Sequence, residues 1–227
     1  MVLWLTQIIE YIDFNGRILQ MATILRTLSY KYQWLYDGIS SLATLSVGGE
    51  TKFRRLALQG LTIDSNTPIL DLCCGAGQTT RFLVQFSDQV TGLDASPVAL
   101  QRASLAVPQA KYVQGLAEQM PCKDQQFDIV HSSVALHEME TEQLKQILAE
   151  VYRVLKPDGV FTAIDLHRPT NLLFWPPVAT FMWLFETDTA WQLLKTDLIQ
   201  LLQEAGFKNT RQTLYAGGSL QVVQGMK

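Results

Sequence analysis

The segment best suited to chemistry is Ile69-Leu-Asp-Leu-Cys-Cys-Gly-Ala-Gly77, an apolar run that ends in Gly75-x-Gly77. Glycine permits a tight turn and lets a ligand lie against bare backbone. Asp94 closes the next apolar run, 19 positions after Gly75. An acidic side chain there can take both hydroxyls of a ribose. The plainer reading is a tight turn with a surface aspartate; the order of the features favours a nucleoside ligand. Thr80 holds the place of the third glycine in the dinucleotide fingerprint. Asp71, inside the turn region, would repel a pyrophosphate and attract an ammonium group. Adenosine carrying positive charge therefore fits better than NAD or FAD.

Histidine is the side chain suited to proton transfer near neutral pH. His137 follows a fourth apolar run, Phe127 to Ser132, and is the first candidate to face a reacting substrate. It would orient or deprotonate a phenol or hydroquinone; the alternative is a histidine bonded within a loop. His167 is a second candidate, and His131 alternates inside the run as a packed residue would. No ligand-like spacing of His, Cys or carboxylates predicts a metal site. Tyr152-Arg-Val-Leu-Lys156 matches the YxxxK of short-chain dehydrogenases. A crossover helix ends at the edge opposite the ligand, so neither side chain is expected at the site.

These residues need strands that end at one edge. Short apolar runs over 68–73, 89–93, 111–114, 127–132 and 160–164 predict five strands. Helices are expected between them: 79–86, one started by Ser96 and Pro97, and the amphipathic 141–155. A single helix is expected over 189–205, and then an antiparallel pair, 208–215 and 219–224, joined by Ala-Gly-Gly. Strands alternating with helices imply a mostly parallel, doubly wound α/β sheet with right-handed crossovers. Residues 1–60 read as helical, a cap or lid ahead of a ligand-binding domain over 61–227.

Composition narrows the partners. The 227 residues carry a net charge of −3, with no basic run, which disfavours nucleic acid. Three cysteines, two of them adjacent, do not suggest a disulfide framework, and a reducing cytoplasm fits best. The N-terminus lacks the features of a signal peptide, and Leu172 to Phe185 is too short to span a bilayer. A cytoplasmic protein is expected, with peripheral membrane contact left open.

The run DLCCGAG with Asp94, followed by FDIVHSSVALHEM and EVYRVLKPDGVF, resembles the class I S-adenosylmethionine-dependent methyltransferases over residues 67–165. The cofactor's sulfonium and α-ammonium meet the charges read above. The resemblance implies a Rossmann-like sheet of seven strands with the last antiparallel. It implies that Gly75 and Gly77 contact the methionine part, Asp71 holds the amino group and Asp94 binds the ribose. Gly115-Leu-Ala-Glu118 corresponds to the adenine-contacting loop. Leu116 replaces the usual aspartate there, leaving Ala117 to offer its backbone amide; Glu118 either substitutes or is solvated. DLCCG and Tyr36-Asp37 are similar to the quinone C-methyltransferases of ubiquinone and menaquinone synthesis, in which Tyr36 would close over the cofactor.

Phe174, Trp175, Phe181, Met182, Trp183, Phe185 and Trp191 crowd the connection after the fifth strand. They read as extra core, as a greasy acceptor pocket or as a membrane-facing patch. The reading that joins these features is methyl transfer from S-adenosylmethionine to a small, lipophilic acceptor such as a quinol or phenol. A polar metabolite is the alternative acceptor, and a non-catalytic nucleoside-binding module the alternative class.

Overall fold

The computed structural model describes Thr44, residues 47–185 and residues 188–227. Seven strands form one sheet in the order β3-β2-β1-β4-β5-β7-β6. They are β1 (Ile69–Leu72), β2 (Val90–Asp94), β3 (Lys111–Gln114), β4 (Phe127–Ser133), β5 (Leu155–Leu166), β6 (Lys208–Tyr215) and β7 (Leu220–Met226). Pairing is parallel from β3 through β5, and β7 runs antiparallel to both neighbours. The doubly wound sheet expected from the sequence is therefore present. Strand order reverses between β1 and β4, and in such sheets ligands bind outside the carboxyl ends at that point.

The helices are α1 (Glu50–Leu56), α2 (Thr80–Leu83), α3 (Pro97–Ala106), α4 (Thr141–Val154), α5 (Trp175–Phe185), α6 (Asp188–Leu193) and α7 (Leu198–Glu204). α4 buries Leu144, Ile147, Leu148 and Val151, one stripe of its surface, against Leu70, Leu72, Val130 and Phe161 of the sheet. α7 adds Leu198, Leu201 and Leu202 to the same core. On the opposite face Phe53 and Leu56 of α1 pack with Ile164 and Val222. Burying each such side chain contributes about 1.5–3 kcal/mol.

A row of polar side chains crosses that second face. Asp71, His131, Thr162, Gln224 and Arg211 are successive register partners on β1, β4, β5, β7 and β6. Thr162 Oγ1 and Gln224 Nε2 donate to the carbonyl of Ala57 at 2.6 and 2.9 Å, and Arg211 donates to that of Gln59 at 2.8 Å. The last turn of α1 and the residues after it are thus stitched to the sheet.

Three boundaries differ from expectation. The helix expected over 189–205 is two helices, because Asp197 caps α7 by accepting from Ile199 and Gln200 N–H. β5 is longer than 160–164 at both ends, its far end paired with β7 as far as Leu166. α2 is one turn rather than two. Ser96 caps α3 as expected, accepting from Ala99 N–H at 3.2 Å. Tyr36 and most of the helical cap expected over 1–60 lie outside the described residues. Among the described residues no helix is long and apolar enough to cross a membrane.

Candidate active site

The glycine turn leaves β1 at the reversal point. Cys73, Gly75 and Gly77 all have left-handed backbone, with φ of 57°, 55° and 85°. The two glycines serve different needs. A Cβ at Gly75 would meet nothing nearer than Gln78 Oε1 at 3.8 Å, so its backbone faces open space. A Cβ at Gly77 would stand 3.3 Å from that of Ala103, so this glycine lets α3 pack against the turn.

Asp94 ties the turn to β2. Its Oδ2 accepts from Gly75 N–H at 2.8 Å, and its Oδ1 accepts from Ser96 N–H at 2.9 Å. Each carboxylate oxygen has a second lone pair, so both keep capacity for a hydroxyl. Asp71 is buried beneath the turn, with Thr80 Oγ1 donating to its Oδ2 at 2.6 Å. Its Oδ1 lies 3.5 Å from His131 Nδ1. The Cys73 thiol is pushed up to about 12, first by burial and then by Asp94, Asp71, Glu118 and Asp165. The turn is thus surrounded by negative charge, as a cationic ligand requires.

The loop after β3 folds tightly: Leu116 bridges to Gln119, and a Cβ at Gly115 would overlap Pro121. Leu116 is exposed, whereas Ala117 is buried. Glu118 is not simply solvated, since Gln143 Nε2 donates to it at 3.2 Å. Met120 N–H donates to Glu150 on α4 at 2.8 Å, which fastens the loop to the domain.

His137 lies in a short 3-10 turn, Leu136–Glu138, after β4. Its Nδ1 is 2.7 Å from Asp165 Oδ1 on β5. Asp165 Oδ2 also accepts from Ala135 and Leu136 N–H at 3.0 and 2.7 Å, and Oδ1 from Leu166 N–H at 2.7 Å. A carboxylate has no proton to give, so Nδ1 carries a hydrogen, and Nε2 lies 3.7 Å from Glu138 Oε1. No spacing singles out Asp165 in the sequence; its only cue is an acid that directly follows the run 160–164.

The remaining candidates lie elsewhere. His131 is fully buried on β4, with neither ring nitrogen hydrogen-bonded. His167 Nδ1 donates to the carbonyl of Gly218 at 2.7 Å. Tyr152 packs edge-on against Phe207, and Lys156 pairs with Asp128 at 2.9 Å. Among the described residues no group of three His, Cys or carboxylate side chains is disposed to hold a metal ion.

Residues 69–159 match the methyltransferase domain family. An uncharacterized methyltransferase of Synechocystis sp. is 60% identical over 204 residues, which cover 90% of this chain and 96% of that protein. A demethylmenaquinone methyltransferase of Lactobacillus johnsonii is 31% identical, with 80% of this chain and 85% of that protein covered. Among solved structures, an S-adenosylmethionine-dependent methyltransferase from Aquifex aeolicus superposes with a TM-score of 0.58 at 19% identity, over 76% of this chain and 88% of that one. Phosphoethanolamine N-methyltransferase 2 of Haemonchus contortus, in complex with S-adenosyl-L-methionine, gives 0.62 at 15% identity, over 89% and 60%. Sequence relationship and fold agree, and the chain belongs to the S-adenosylmethionine-dependent methyltransferases.

Proposed function

We propose that this enzyme methylates a small, lipophilic acceptor that carries an acidic hydroxyl, such as a quinol or phenol. The observation that carries the reading is the contact between His137 and Asp165, because a base held in one tautomer suits an acceptor that must lose a proton. The cofactor, when bound, supplies an activated methyl group. Gly75 offers bare backbone to its methionine part, and Gly77 holds the turn closed against α3. Asp94 takes the ribose hydroxyls, Ala117 offers its amide to the adenine, and Asp71 sets negative charge beneath the turn. Tyr36, outside the described residues, is assigned to closing over the cofactor. His137 takes the acceptor's hydroxyl proton at Nε2.

The apolar connection after β5 supports a greasy acceptor. Met182, Ala190 and Leu194 are buried together, with Trp175, Phe181 and Trp191 packed on them. Leu172 and Leu173 are exposed beside this cluster and would let a cytoplasmic enzyme touch the membrane that holds such an acceptor. The demethylmenaquinone methyltransferase relative points to the same acceptor class. The test is turnover with labelled S-adenosylmethionine against quinols, phenols and polar metabolites. Methylation of quinols or phenols supports the reading, and turnover confined to polar molecules or proteins sinks it.

A further inference from the structure

Arg211 on β6 belongs to none of the motifs above and lies away from the cofactor turn, with β5 and β7 between its strand and β4. Arg211, Thr213 and Tyr215 share one face of β6, and Arg211 and Thr213 stand in register with Gln224 and Val222 of β7. Beside them is an open pocket of about 160 Å³, lined at its base by Leu56 and Val222, both buried.

The guanidinium is fixed at the wall of this pocket. Nε donates to Gln224 Oε1, and Nη2 donates to the carbonyl of Gln59 at 2.8 Å. Gly60 leaves it room, since a Cβ there would stand 2.8 Å from Nη2. Tyr215 Oη donates to Gln59 Oε1 at 3.1 Å, which holds the Gln59 side chain at the same pocket. An arginine carries five N–H donors, so donors remain after these two bonds. Among the described residues no carboxylate pairs with Arg211, and no hydrogen bond ties the Thr213 hydroxyl.

We propose that this pocket binds a small organic carboxylate with an apolar body. A guanidinium with spare planar donors matches the two oxygens of a carboxylate. One cation suits a monoanion better than a phosphate dianion. Leu56 and Val222 offer apolar surface to the rest of the molecule, and a cavity of about 150 Å³ is enough to hold a benzene ring. Water satisfies an ordinary surface arginine. This one is already held by Gln224 and Gln59 beside an apolar base, so little ordering is needed when a ligand arrives. The site is independent of the cofactor and of the acceptor proposed above.

The test is isothermal titration of the full chain with benzoate, with benzyl alcohol and inorganic phosphate as controls. Benzyl alcohol lacks the charge, and phosphate lacks the ring. Benzoate should bind saturably and more tightly than either control. Arg211→Met should weaken it by about tenfold or more, the size expected for hydrogen bonds to a charged group. Thr213→Val removes only a hydroxyl and should weaken it by about three- to tenfold. Circular dichroism checks that both variants are folded. If Arg211→Met does not fold, Thr213→Val decides, because its side chain is exposed and makes no hydrogen bond among the described residues. Undiminished benzoate binding in the deciding variant places the ligand elsewhere and overturns the proposal. No saturable binding of benzoate, or equal affinity for either control, overturns it as well.

Discussion

Nδ1 of His137 stands 2.7 Å from Oδ1 of Asp165, on a carboxylate that also accepts three backbone N–H groups. One side chain thus shapes the turn after β4 and sets the tautomer of the imidazole. Asp165→Asn removes the charge and replaces one acceptor oxygen with a donor. With His137 as base, kcat should fall about a hundredfold or more, with little change in cofactor affinity. Stability should fall by about 1–3 kcal/mol, because buried N–H groups lose acceptors. His137→Gln should lower kcat similarly and abolish the limb of the pH–rate profile that reports the base. Unchanged kcat in both variants would remove His137 from the chemistry.

Asp94 is positioned by Gly75 and Ser96 N–H, which hold its carboxylate in a fixed geometry. Asp94→Ala should weaken S-adenosylmethionine by about tenfold or more, the value of hydrogen bonds to a charged group. Calorimetry measures it directly. An unchanged affinity would place the ribose elsewhere.

Gly75 and Gly77 should respond differently to alanine. Both have positive φ, which costs an L-residue about 1–2 kcal/mol. At Gly77 the added methyl also meets Ala103 Cβ at 3.3 Å and the α3 backbone at 3.4 Å, an overpacking worth about 1–3 kcal/mol more. Gly77→Ala should therefore melt lower than Gly75→Ala. Gly75→Ala has room for its methyl and should instead lose cofactor affinity. Thermal melts with and without cofactor separate the two, and equal melting temperatures would contradict the packing role of Gly77.

The parallel strands were legible because each is a short apolar run closed by a turn residue, as Leu70 and Leu72 lead into Gly75 and Leu93 into Asp94. The split between α6 and α7 was not, because Leu193, Leu194, Leu198 and Leu201 continue a helical spacing straight through Asp197. Capping by Asp197 is a local event that hydrophobic periodicity does not register. Asp165 was hidden for a different reason. Its partner lies 28 positions away, at His137, so only the paired strands bring them together. Asp71 was legible as an acid near the turn, but its burial under Thr80 depends on the alternation of β1.

Glu150 offers a test of what holds the loop that carries Ala117. Its carboxylate accepts from Arg153 at 2.7 and 2.8 Å and from Met120 N–H at 2.8 Å. Arg153 reaches on to the carbonyls of Met120 and Cys122 and to Asp124. Hydrogen bonding from Arg153 holds the Glu150 carboxyl below its ordinary 4.5. A carboxyl lowered by folding adds stability above that value and loses it as pH falls through the folded value. The side chains are 20% and 32% exposed, so solvent and salt screen the pair and its contribution is about 1 kcal/mol or less. Glu150→Gln should thus be less stable than wild type at pH 7, and the gap should close below pH 4.5. Cofactor affinity should drop in step if this loop contacts the adenine as proposed, because the loop loosens. Urea titrations at neutral and acid pH measure the gap, and a difference that persists in acid would mean that loop shape, not charge, is what Glu150 supplies.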